Sequence, residues 1–421
     1  MQDVTVEGAA AAPPARPWRR DAHAATLVGV AHLSSHFFQM LLPPIYPWLM
    51  RDFGIDYTEA GFLATVFFVI SSTGQALAGF AVDRVGALRV LLLGMLLLVL
   101  AGISLGLTGS YAGLMVTAGL AGAGNAMFHP ADYTILNRKV SAARLGHAFA
   151  MHGLSGNLGW AAGATFMASV TALAGWHVAG FCAAALVFGV LLFLLTQGAV
   201  LGGVEPRPEA RSMAATAADP AVPLPSPGQF AFLASGTVWL CFAFFFLSTG
   251  AGGILQNFAP AMLSHVYGVS LALATASLTA YLLGSAAGTV LGGFVAGREA
   301  RSARVVAVAL CLAALMSLLL ASATLPAALL LPALFALGCG AGTAGPSRDL
   351  LVRQAATARF GAASFGRVYG FVYSGLDSGL AVGPLVVGRL LDHGLFRSGL
   401  LCIALLQIAA VLVAVGVGRR L

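Results

Sequence analysis

Charge is what this chain has least of. Charged residues make up 9% of its 421, against roughly 25% in a soluble domain, too few to cover a water-facing surface. The five cysteines (Cys182, Cys241, Cys311, Cys339 and Cys402) show no CxxC or metal-site spacing and read as buried small residues rather than redox or metal groups. No nucleotide-binding domain is visible. The string Gly338-Cys339-Gly340-Ala341-Gly342 lies inside an apolar run with no preceding strand, so it reads as close helix packing, and ATP hydrolysis within the chain is excluded. Ten-residue alternation is missing too, which argues against a β-barrel. The first 20 residues are rich in Ala, Pro and Arg and have no apolar core, so they are expected to form a disordered cytoplasmic tail rather than a signal peptide.

What the chain has is apolar length. Hydrophobic residues make up 59% of it and the mean hydropathy is +0.90. About twelve runs are each long enough to cross a ~30 Å hydrocarbon core, near 25–50, 59–82, 88–108, 112–136, 147–173, 177–197, 229–256, 270–296, 304–323, 326–347, 366–390 and 398–417. The 52 glycines suit close approach of such helices. The expected fold is an all-α membrane protein. The net charge of +7 is not a nucleic-acid footprint, because its placement follows the membrane. With the N-terminus inside, Arg16, Arg19, Arg20, Arg84, Arg89, Arg138, Lys139, Arg144, Arg207, Arg211, Arg298, Arg301, Arg304, Arg353, Arg359, Arg367, Arg419 and Arg420 share one side, Arg51, Arg389 and Arg397 fall on the other, and Arg348 lies at a helix end. That asymmetry predicts cytoplasmic termini.

From Gly198 to Gly228 the apolar pattern stops and prolines and charges take over. Such composition reads as an extended linker. The expected organisation is therefore a tail (1–23), a six-helix bundle (24–197), a cytoplasmic linker (198–228) and a second six-helix bundle (229–421). The bundles echo each other: Gly79-Phe80-Ala81-Val82-Asp83-Arg84 follows the second run, and Gly293-Phe294-Val295-Ala296-Gly297-Arg298 follows the eighth. Repeats of this kind place a substrate site near the midplane between the halves.

The segment 79–90, GFAVDRVGALRV, resembles the loop between the second and third helices of the major facilitator superfamily, matching at Asp83, Arg84 and Gly86. The segments 31–49, 122–130 and 155–163 are similar to the fosmidomycin resistance branch of that superfamily. The resemblance implies two pseudo-symmetric six-helix bundles and secondary transport in a bacterial inner membrane, commonly proton-driven drug or metabolite efflux. It also implies that Gly79, Asp83, Arg84 and Gly86 form a gating loop. The chain departs from the branch at His36, where an acid is expected, and at Ala131, where the expected acid comes one place later as Asp132.

Ionisable and amide side chains inside a bilayer are costly unless they face protein or water. His32, Ser35, His36 and Gln39 recur at i, i+3, i+4 and i+7, which is one helical face. Asn125, His129 and Asp132 repeat in the fourth run, and Asp377 is read as the one carboxylate near the middle of a span. His152 and Asn157 lie in the fifth run, Gln75 in the second, and Gln256 with Asn257 at the end of the seventh. His32, His36, Gln39, Asn125, His129, His152, Asn157, Gln256, Asn257 and Asp377 are the candidates for lining a substrate and proton cavity. The competing reading is plain interhelical hydrogen bonding, worth about 0.6 kcal/mol per pair. An i, i+4 histidine pair can bind zinc, but no further ligand cluster is visible, and neither metal nor cofactor is expected. The expected function is proton-coupled efflux of a small polar molecule by a monomer. An uptake symporter and, further off, a non-transporting membrane receptor are the alternatives; an enzyme is not expected.

Overall fold

The structure is a computed structural model that describes residues 18–141, 144–202, 231–296, 302–360 and 365–418. Among the described residues it contains helices and no strands. In the first half these are α1 (Trp18–Gln39), α2 (Tyr46–Phe53), α3 (Tyr57–Val85), α4 (Ala87–Leu107), α5 (Tyr111–Ala126), α6 (Phe128–Lys139), α7 (Leu145–Ala174), α8 (Trp176–Thr196) and the short α9 (Gly198–Leu201). The second half holds α10 (Gly236–Tyr267), α11 (Leu271–Ala296), α12 (Ser302–Ser322), α13 (Leu330–Phe360), α14 (Phe365–Asp392) and α15 (Phe396–Gly418). Taking α1 with α2 and α5 with α6 as broken spans, this makes twelve spans, six in each half. Among the described residues, eight helical segments are long and apolar enough to cross a membrane by length and composition alone.

The repeat suggested by the sequence is visible in the packing. In the first half the first span packs on the fifth (α1 on α7), the second on the fourth (α3 on α5), and the third on the sixth and fourth (α4 on α8 and α5). The second half repeats the scheme with α10 on α14, α11 on α13, and α12 on α15 and α13. The halves meet through two helix pairs, α3 with α14 and α7 with α11. Away from these seams α8 presents Leu192, Phe193 and Leu195 outward, each about half exposed, a surface suited to lipid.

Several boundaries differ from the sequence expectation. α1 begins at Trp18, inside the segment assigned to the tail, and ends at Gln39; Pro43–Ile45 form one 3-10 turn before α2. Pro44 and Pro47 supply no N–H to a continuous helix, and the span breaks there. The seventh span is Gly236–Tyr267 rather than 229–256, so Gln256 and Asn257 lie well inside a helix, with Pro260 one turn further on. Most of the predicted linker falls outside the described residues; its start, Gly198–Leu201, is a helical turn. The predicted gating loop is hardly a loop. Gly79, Asp83 and Arg84 belong to the last turns of α3, and Gly86, at φ 92°, is the single residue between α3 and α4. A side chain is strained at that angle, which accounts for the glycine. Arg84 is exposed, and the Asp83 side chain lies outside what is described.

Candidate functional site

His32, Ser35, His36 and Gln39 share the inner face of α1, as their spacing requires. α5 ends at Ala126 and α6 restarts at Phe128. Pro130 has no N–H to return to the Ala126 carbonyl, which weakens the helix at this turn. The break falls between Asn125 and His129, yet both sides still face α1. α7 brings His152, Gly156 and Trp160 to the same place, one helical turn apart. A methyl group on Gly156 would stand 2.8 Å from His36 Cε1 and 3.1 Å from His32 Nε2. Glycine there leaves room for two imidazoles between α1 and α7.

Four histidines result in one cluster. The His32 ring is stacked on His152 at 3.5 Å, with His36 at 4.4 Å and His129 at 5.3 Å between centroids. His36 also lies 4.5 Å from the Trp160 ring. Asp132, fully buried, places Oδ2 3.0 Å from His152 Nε2 and 3.2 Å from His32 Nδ1. The first of these is a hydrogen bond; the second is close but poorly directed. His32 Nδ1, both ring nitrogens of His36 and Asp132 Oδ1 are buried without a hydrogen-bond partner of normal geometry. Burying such atoms unpaired costs about 1–3 kcal/mol each. Asp377 is thus not the only carboxylate inside the bundle, as the sequence suggested; Asp132 is the more deeply buried.

A polar chain leads from this cluster into the other half. The Gln75 side chain, on α3, accepts at Oε1 from His129 Nδ1 (3.1 Å) and donates from Nε2 to Asp377 Oδ2 on α14 (3.2 Å). With the amide in this orientation, His129 carries its proton on Nδ1. A second branch joins Asn125: Ser35 and Gln39 donate to its Oδ1 at 2.5 and 3.0 Å, and its Nδ2 donates to Ser71 at 2.7 Å. Trp160 Nε1 donates to Gln39 Oε1 at 2.8 Å.

Beyond Gln39 lies a small pocket between the halves, lined in part by Phe38, Phe67, Phe68, Gln256 and Asn257. The predicted residues therefore divide. His32, His36, His129 and His152 form the cluster; Gln39, Asn125 and Asp377 are wired to it. Gln256 and Asn257 line the pocket instead, and Asn257 Oδ1 accepts from Tyr46 across the halves at 3.0 Å. Asn157 belongs to neither group. It bonds Ser285 (3.0 Å) and Thr289 (3.3 Å) on α11 and so serves the seam between halves. Sequence reasoning did not single out Ser71 or Trp160. Trp160 is eight residues, two helical turns, after His152, and that spacing was the available signal.

The sequence profile described as Major Facilitator Superfamily matches residues 28–365. The fosmidomycin resistance protein of Escherichia coli (strain K12) is 28% identical over 275 residues, covering 65% of this chain and 65% of that protein. This chain therefore spans a little under two thirds of that relative's length. An uncharacterized MFS-type transporter of Bacillus subtilis (strain 168), YfnC, is 24% identical over 135 residues, or 32% of this chain and 33% of that one. Among solved structures, a bacterial homologue of the human lysosomal transporter Spinster, in an inward-facing and occupied conformation, superposes with a TM-score of 0.72 at 14% identity, covering 96% of this chain and 98% of the other. The nucleoside transporter NupG, in a mutant form, gives 0.71 at 14% identity over 94% and 99%. At that identity the likeness speaks for the fold alone.

Proposed function

Because this chain belongs to the major facilitator superfamily, and is thus a multi-pass membrane transporter of small molecules rather than an enzyme, we propose that it exports a small polar molecule or drug in exchange for protons, by alternating access of its two halves. The observation that carries this reading is the bridge from Asp377 through Gln75 to His129. Gln75 and Asp377 sit on the two helices that join the halves. Any motion that parts α3 from α14 at this level breaks their bond and changes the surroundings of the carboxylate. A titratable group whose surroundings depend on conformation ties proton uptake and release to the two states. The similarity to a fosmidomycin resistance protein favours export over uptake. Asp83 and Arg84, at the arginine-rich end of α3, are assigned to gating. The arginine distribution supports a cytoplasmic position for that end, with a bacterial inner membrane as the setting and the monomer as the working unit of this reading.

The test is substrate-dependent pH change in proteoliposomes holding the purified protein. Exchange moves protons opposite to substrate. Co-movement makes the chain an uptake symporter, and no substrate-dependent proton movement removes the coupling altogether.

A further inference from the structure

We propose that His32, Asp132 and His152, supplemented by His36 and His129, form a binding site for a divalent transition-metal ion of the zinc type inside the first half. The site goes beyond the transport reading and does not depend on it, since binding is measured without transport.

The geometry starts the argument. In a tetrahedral zinc site with ligands about 2.0–2.1 Å from the metal, neighbouring ligand atoms lie roughly 3.3 Å apart. The Asp132 carboxylate oxygen already stands 3.0 and 3.2 Å from the nearest nitrogens of His152 and His32. Ligand atoms of His32, Asp132 and His152 all fall within 4.8 Å of one another, and the same holds for His32, His36 and His129. The two sets share His32, so a fourth ligand is available from His36 or His129 through side-chain rotation.

Electrostatics and satisfaction point the same way. Polar atoms left without hydrogen bonds in this part of the protein include His32 Nδ1, both nitrogens of His36 and Asp132 Oδ1. A neutral imidazole offers a metal one unprotonated nitrogen and Asp132 offers a carboxylate oxygen, so one ion engages several of these groups together. Protonation is a poorer answer for so many, because rings with centroids 3.5–5.3 Å from His32 cannot all carry charge at once. Asp132 supplies the negative charge a divalent cation needs.

The outer partners also have the usual form. A metal-bound histidine commonly donates its other N–H to an acceptor that fixes its tautomer. His129 Nδ1 does this to Gln75 Oε1, leaving Nε2 free to ligate. A mixed imidazole and carboxylate set suits zinc, nickel, copper or cobalt, whereas calcium and magnesium require oxygen ligands.

The experiment is calorimetric titration of the full chain, purified in detergent without a histidine tag, with Zn²⁺ and separately with Mg²⁺. One saturable Zn²⁺ per chain and no Mg²⁺ binding are expected. The Asp132→Asn and His152→Gln variants lower the zinc affinity by at least about tenfold, the loss that even outer-shell changes reach. His177→Gln, an exposed histidine outside the cluster, leaves it unchanged. Should either variant fail to fold, Co²⁺ added to the wild-type chain reports directly, through the visible absorption of a four-coordinate nitrogen–oxygen site. Absence of stoichiometric zinc binding, zinc binding that survives loss of both Asp132 and His152, or a six-coordinate cobalt spectrum overturns the proposal.

Discussion

Asp392, the last residue of α14, caps α3 of the opposite half: its carboxylate accepts the backbone N–H of Tyr57 at 2.6 Å and of Thr58 at 3.0 Å, and the Thr58 hydroxyl as well. A carboxylate at a helix N-terminus satisfies open N–H groups and opposes the positive end of the helix dipole. Beside it the helices touch closely. A Cβ on Gly388 would run into the Tyr57 carbonyl, and one on Gly61 would stand 2.7 Å from the Pro384 oxygen. At this end, opposite the arginine-rich one, the two halves are thus in close contact.

Loosening that cap shifts the balance toward opening on this side. Asp392 is exposed, so the contribution is of the surface kind, about 0.3–1 kcal/mol, or roughly a two- to fivefold change in population. An Ala64→Cys probe in the pocket wall is expected to react faster with an impermeant external thiol reagent when Asp392→Ala is added. Asp392→Asn, which keeps one acceptor oxygen, gives a smaller increase. Equal rates in all three backgrounds mean that the cap does not latch the halves.

Gly156 and Gly153 provide a matched pair on α7. An alanine methyl at 156 collides with His36 and His32, while at 153 it meets nothing within 4 Å. Gly156→Ala is expected to destabilise the protein by about 1–3 kcal/mol through overpacking and to weaken substrate binding. Gly153→Ala is neutral or slightly stabilising, since it removes backbone freedom in a helix. Thermal unfolding in detergent and ligand titration check both. Identical behaviour of the two variants removes the packing argument for the cluster.

How much of this was legible beforehand depends on whether the information is local. The face of α1 followed from the 3.6-residue period, and the division into two halves followed from the prolines and charges after Gly198. The meeting of His36 with Gly156 and Trp160 did not, because a single sequence does not say which helix faces which. The end of α10 was misplaced for a related reason. Gln256, Asn257 and Pro260 resemble a helix terminus in water, but a membrane span tolerates proline, and the amide pair faces the pocket between halves. Asp132 was seen as part of a stripe, but its depth relative to Asp377 appeared only when α1, α6 and α7 were brought together.

Sidedness is tested separately. Single cysteines at Ala215 in the linker and at the exposed Arg51 are expected to be labelled from opposite faces, 215 only from the cytoplasm and 51 only from outside. Labelling of both from the same face contradicts the placement of the arginine-rich end.

Asp377, bridged to the histidine cluster by Gln75, is the group proposed to carry the proton. The most direct measurement compares wild type and Asp377→Asn in proteoliposomes, following substrate accumulation under an imposed pH difference and substrate exchange at equal pH. Accumulation is expected to fall to background in Asp377→Asn while exchange retains the wild-type order of magnitude. An Asp377→Asn protein that still builds a substrate gradient from the pH difference contradicts it.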